Sequence, residues 1–96
     1  MMLGRVIGNV VSVIKDENYH GLKLMVVQEL DMEGNFKGNY VVSADLIGVG
    51  IDEVVMVANG TPARATEETK NWGLDSIIVA KIEKLIFKDR EVILDP

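Results

Sequence analysis

From Leu3 to Ile14 the chain is rich in valine and isoleucine, with Gly4 and Gly8 inserted. Taken two at a time, Val6-Gly8-Val10-Ser12 and Ile7-Asn9-Val11-Val13 make two faces, and each carries apolar residues. This predicts a strand covered on both sides, or covered by the fold on one face and by a neighbour on the other. The glycines allow the bending or close backbone approach that a tightly curled barrel needs. KDENYHG at 15–21 is a polar connection, after which Leu22–Leu30 forms a second strand. Leu22, Leu24, Val26 and Leu30 share one of its faces, with Gln28 as the exception.

DMEGNFKGN at 31–39 places Gly34 and Gly38 at turn positions between extended segments, which predicts a hairpin. Tyr40-Val41-Val42 opens a third strand. Residues 43–52 read as a compact connection with Gly48 and Gly50 close together, and Glu53–Ala58 as a fourth strand. In the NGTPAR stretch at 59–64, Thr61 suits an N-cap and Pro62 the first helical position, so a short helix is expected, stopping at Gly73. Residues 75–87 fit either a helical face or a strand, and the β-branched run Ile77-Ile78-Val79 favours the strand. Lys88–Glu91 reads as a turn before a short edge at Val92–Leu94. The expected fold is all-β: a small OB-like antiparallel β-barrel with one short helix. A single domain is expected across 1–96, with a core over 3–87 and a C-terminal tail at 88–96.

Composition sharpens this picture. Ninety-six residues suit one small domain with a thin core, and without cysteine neither disulfides nor thiolate metal sites reinforce it. Yet 48% of the residues are hydrophobic and only 5% aromatic, more aliphatic surface than one thin core absorbs, which points to association with other copies. The net charge of −5 argues against nucleic-acid binding, because phosphate contacts need positive charge. No secretory leader pattern opens the sequence, and no apolar run approaches the roughly 20 residues that span a bilayer, so a soluble cytoplasmic setting without membrane association is expected.

The chemistry of catalysis is hard to find. The one histidine, His20, lies in a polar loop and reads as solvated or locally hydrogen-bonded. Asp31 and Glu33 flank an ordinary hairpin turn. Asp45 has no identifiable catalytic partner and makes better sense as an acceptor organising the glycine-bearing loop after it. Gly48-Val49-Gly50 precedes a strand where a dinucleotide fingerprint needs a helix, and NGTPAR lacks the lysine of a phosphate-binding loop. Arg64 sits in the first turn of the expected helix, where its charge is unfavourable for capping. Its fork of donors suits backbone carbonyls or a carboxylate, including one across a subunit boundary. Trp72 reads equally as a cap on the barrel or as an interface anchor. No cofactor, metal or catalytic residue is assigned.

LGRVIGNVVSVIK at 3–15, GLKLMVVQELDMEGNFKGNYVVSAD at 21–45, GVGIDEVVMVANG at 48–60 and Ala63-Arg64 together resemble the EutN/CcmL/CsoS4 family of bacterial microcompartment vertex proteins. The resemblance continues more weakly through WGLDSIIVAKIEKL at 72–85. It implies a non-enzymatic shell protein: an OB-like barrel assembling into a homopentamer that closes the five-fold vertices of a carboxysome or metabolosome. Its implied partners are further copies of itself and hexameric or pseudohexameric shell proteins, in the cytoplasm and in the shell. It further implies a subunit boundary drawn from Arg5, Asn9, Asn59, Gly60, Thr61, Pro62, Arg64 and Trp72, with Gly34, Gly38, Asp45, Gly48 and Gly50 as structural turn residues. Thr61-Pro62 stands where the family commonly has two serines, and Asp52 where glycine is frequent. A pentamer of chains at −5 would carry −25, so apolar burial and charge pairing must outweigh its self-repulsion.

Two other readings remain at this level. One is an OB-type nucleic-acid-binding module, which would need a basic groove and stacking aromatics. The other is an oligomeric small-molecule-binding barrel with Asp45, His20 or Arg64 in a composite site between subunits.

Overall fold

Valine fills the interior. Val6, Val27, Val55 and Val57 are completely buried and pack with Met25, Val49 and Ile78, while Met2 and Val41 close around them. The computed structural model describes residues 1–11, 23–59 and 76–93. Seven strands run through them: β1 (Met2–Asn9), β2 (Leu24–Leu30), β3 (Phe36–Asp45), β4 (Val54–Asn59), β5 (Ser76–Lys81), β6 (Lys84–Phe87) and β7 (Arg90–Ile93). The first five close into a barrel in the order β1-β2-β3-β5-β4, and β6 and β7 form a separate two-stranded sheet. Short β-branched side chains suit so narrow a barrel, and each one fully buried stabilises it by about 1.5–3 kcal/mol relative to exposure. The expected all-β barrel is thus the architecture found. Among the described residues there is no helix, and the one expected from Thr61 lies outside them.

All pairings in the barrel are antiparallel except β3 with β5, which run parallel through Ala44↔Ile77 and Asp45↔Ile78. That seam is only two residue pairs long, and a hydroxyl contact supports it: Ser43 Oγ and Ser76 Oγ lie 2.6 Å apart, both buried. Where β1 crosses β2, Gly4 leaves no room for a side chain. A Cβ there would run into Val27 Cγ1 and approach the Gln28 carbonyl oxygen to 3.0 Å. The close approach belongs to the tight curl of the barrel.

Several boundaries differ from the expected ones. β1 ends at Asn9, with Val10 and Val11 outside the strand, and residues 12–14 of the expected strand lie outside the described residues. Its register with β2 shifts between Val6 and Gly8, and the Val10 amide, bonded to the Leu24 carbonyl at 2.9 Å, prolongs the ladder. β3 begins at Phe36 rather than Tyr40. Gly38, expected in the hairpin turn, lies inside this strand with φ 101°. There the register jumps from Gln28↔Tyr40 to Leu30↔Phe36, so the extra residues bulge outward, and glycine takes the left-handed backbone that the bulge imposes. Ser43, Ala44 and Asp45, expected in a connection, extend β3 because Ala44 and Asp45 find partners in β5.

The described part of the ambiguous segment, residues 76–87, is neither one helix nor one strand but β5 followed by β6. The turn between β6 and β7 is Lys88-Asp89, with φ 53° and 62°, the doubly left-handed geometry of a two-residue hairpin. Residues 90–93, expected partly as turn, therefore pair as β7. Leu85 and Val92 face each other across this hairpin and pack, with Met56 and Ile82, on Leu3, Leu30 and Val54 at the outside of the barrel.

Candidate assembly surface

The connection from β3 to β4 is the most elaborately bonded part of the described structure. Asp45 ends β3 with its side chain buried. Its Oδ1 accepts the amides of Ile47 at 3.0 Å and Gly48 at 2.9 Å, and its Oδ2 accepts the amide of Val49 at 2.9 Å. Lys23 stands 3.3 Å from Oδ2 and also donates to the Val49 carbonyl at 3.1 Å. Burial raises the pKa of this carboxyl, but the amides of Val49, Ile47 and Gly48, with Lys23, outweigh burial and hold it below the ordinary aspartate value.

The far end of the loop is tied to β1 and β4. The Gly50 amide donates to Glu53 Oε1, and Lys81 Nζ lies 3.4 Å from Glu53 Oε2. The Asp52 amide donates to the Val6 carbonyl at 2.7 Å, and the Val6 amide to the Glu53 carbonyl at 2.9 Å. Arg5 Nη1 donates to the Asp52 carbonyl at 2.7 Å. Asp52 itself has φ 72°, a left-handed conformation that aspartate tolerates better than most residues. Between these anchors Val49 is 3% exposed and packs into the core with Val6, Met25 and Val55. Leu46, Ile47 and Ile51 are left exposed, although the amides of Ile47, Gly48, Val49 and Gly50 are all bonded to Asp45 or Glu53.

The turn from β2 to β3 repeats the device on a smaller scale. Asp31 Oδ1 accepts the amides of Glu33 at 2.8 Å and Asn35 at 3.0 Å. The amides of Asn35 and then Glu33 keep its pKa below the ordinary value. Gly34 completes the turn with φ 87°, its amide bonded to the Asp31 carbonyl at 3.1 Å.

The structure thus gathers Arg5, Asp45, Gly48 and Gly50 around one loop. Asn9 and Asn59 lie exposed at strand ends, opposite Met25 and Ser76 respectively, with no shared neighbour in the ladders. Gly34 and Gly38 belong to the β2–β3 region. Gly60, Thr61, Pro62, Arg64 and Trp72 lie outside the described residues. Sequence reading missed Lys23 and Glu53, the charged partners of the loop. Lys23 has no local signal, because it acts across 26 residues. Glu53 reads as the start of a strand, and its backward bond to Gly50 depends on the loop's own path. Asp31 was legible in principle, since an aspartate three residues before a glycine is an Asx-turn pattern.

Among the described residues no group of three His, Cys, Asp or Glu side chains could hold a metal ion, and no helix is long and apolar enough to cross a membrane. What the surface does show is apolar area. Tyr40, Val42, Phe36, Ile47, Ile51 and Val79 are all more than 40% exposed, a large amount for a chain of this size.

Comparison with known proteins agrees with this architecture. The family described as ethanolamine utilisation protein EutN/carboxysome matches residues 1–83. The carboxysome shell vertex protein CcmL of Synechococcus elongatus is 35% identical over 92 residues, 96% of this chain and 93% of that one. Among solved structures, CcmL of Nostoc sp. PCC 7120 superposes with a TM-score of 0.90 at 35% identity, covering 99% of this chain and 100% of its own. The GrpN pentameric microcompartment shell protein from Rhodospirillum rubrum superposes with a TM-score of 0.77 at 35% identity, covering 88% and 95%. With a family match over most of the chain, and relatives above 30% identity along nearly all of it, the chain belongs to the EutN/CcmL family.

Proposed function

We propose that this chain is a structural shell protein whose five copies form a ring that closes a vertex of a bacterial microcompartment. The observation that carries the reading is the full-length likeness to CcmL, a shell vertex protein, and to pentameric GrpN, within one barrel architecture. The physical logic is geometric: a sheet of six-fold tiles closes into a polyhedron only where five-fold units sit at its corners. The ring's neighbours in the shell are then hexameric and pseudohexameric shell proteins. The protein performs no catalysis in this role. Asp45, Glu53 and Arg5 are each committed to backbone partners in and around the β3–β4 loop.

The subunit boundary we propose includes β1 with Arg5 and Asn9, and the region from Asn59 through Arg64 to Trp72. Native mass spectrometry of the purified protein tests the assembly: a species of five 10.6 kDa chains is expected. Co-expression with a hexameric shell protein should then yield closed particles containing both. A protein that stays monomeric at high concentration and moderate salt would overturn the proposal.

A further inference from the structure

We infer that the β6–β7 hairpin is a strap: hinged at Glu83, it lifts from the barrel as a unit and bares an apolar patch of Leu3, Leu30 and Val54 while the barrel stays closed. The inference goes beyond the proposed function and does not rest on it.

Strand β4 is buried on both of its sides, but by different covers. Val55 is completely buried inside the barrel among Val6, Val27 and Val57. Its neighbour Val54 points to the other side, as strand alternation requires, and is 2% exposed in a cluster with Leu3 and Leu30. Leu85 and Val92, paired across the hairpin, pack on that cluster together with Ile82 and Met56. The inner cluster thus depends on closure of the barrel, and the outer one on the hairpin's staying down.

Few directional bonds hold the hairpin there. β6 and β7 pair with each other in a sheet apart from the barrel. The Ile82 amide, bonded to the Val54 carbonyl at 2.8 Å, is the last backbone tie before them, and the chain bends at Glu83. The Lys84–Glu91 ion pair, at 2.8 Å, lies within the hairpin. Arg90 reaches Glu33 on the β2–β3 turn at 3.4 Å, but both side chains are more than half exposed, so water and salt weaken the pair. At the tip, Lys88 and Asp89 hold φ 53° and 62°, a geometry that asparagine and glycine suit better. A two-stranded hairpin is marginal on its own, so off the barrel it unzips and this turn relaxes. The family match ends at residue 83, immediately before β6, which leaves the hairpin outside the part the family shares. Lifting therefore changes how much apolar surface the outside of the barrel presents without opening the barrel itself, as a local cooperative unit does.

The chain has no cysteine, so a single introduced thiol reports its own exposure. Without denaturant, a thiol-labelling reagent should modify Val54→Cys about a hundred-fold faster than Val55→Cys, although the two sites are adjacent and both buried. Labelling of Val54→Cys should rise only weakly with urea, because little surface opens, whereas Val55→Cys should follow the steep dependence of global unfolding. Hydrogen exchange of the unaltered protein gives a second reading: the amides of β6 and β7 should exchange together, with the same shallow urea dependence, ahead of those of β1, β2 and β4. Replacing the turn by Lys88→Asn/Asp89→Gly should slow labelling of Val54→Cys about five-fold, since it relieves a turn that the lifted strap does not have. Equal labelling of the two thiols, one steep urea dependence shared by hairpin and barrel amides, or labelling of Val54→Cys indifferent to the turn replacement overturns the inference.

Discussion

Arg5 Nη1 donates to the backbone carbonyl of Asp52 at 2.7 Å, joining β1 to the end of the β3–β4 loop across 47 residues of sequence. The bond sits where Asp52 adopts φ 72°, so a cation satisfies a carbonyl at the one non-glycine left-handed residue of the loop. Replacing Arg5 by alanine should lower stability by about 0.5–1.5 kcal/mol, the net worth of such a bond at an exposed site. Asp52→Gly, which relieves the backbone, should be neutral or slightly stabilising, and Asp52→Val should cost about 1–2 kcal/mol. Urea denaturation at one fixed chain concentration checks all three, since assembly and stability are coupled.

Asp45 should be the most sensitive side chain of the loop. An asparagine in its place would set an NH2 group against backbone amides or Lys23, so Asp45→Asn should cost about 2–4 kcal/mol. The sign of the pH dependence follows from the lowered folded-state pKa. Such a carboxylate contributes stability that is present above its unfolded pKa, about 3.9, and is lost as pH falls through the lower folded value. Wild-type urea midpoints should therefore drop below about pH 4, and the drop should be shallower in Asp45→Asn. An equal drop in both would place the acid sensitivity elsewhere.

Gly4→Ala should destabilise the barrel by about 1–3 kcal/mol, because the added methyl meets Val27 and the Gln28 carbonyl where β1 and β2 curl together. Gly8→Ala makes the control. Nothing lies within 4 Å of a Cβ at Gly8, so a thermal midpoint close to wild type is expected there.

The Ser43–Ser76 pair predicts strong non-additivity. Ser43→Ala leaves the buried Ser76 hydroxyl without its partner and should cost about 1–3 kcal/mol, whereas the double alanine variant should recover most of that loss. A double-mutant cycle by denaturant titration reads the coupling directly. Additive single effects would mean that the hydroxyl contact does not stabilise the seam.

Local pattern was enough to place the cores of most strands, and the residue series at 3–15, 21–45 and 48–60 to point to the family. Alternating valine-rich stretches admit few structures other than buried strands, and Asp45 before a glycine-bearing loop announces its acceptor role locally. Tertiary structure decided what depends on distant partners. Gly38 looks like a turn residue until the Leu30↔Phe36 pairing carries β3 past it as a bulge. Residues 76–87 resolve into two strands because β5 completes the barrel against β3 and β4, while β6 turns to pair with β7. Lys23 and Arg5 become loop anchors only once the barrel brings them to Val49 and Asp52. The reason is common to both: periodicity and turn chemistry act within a few residues, whereas closure of a barrel joins groups 26 and 47 residues apart, which no local pattern encodes.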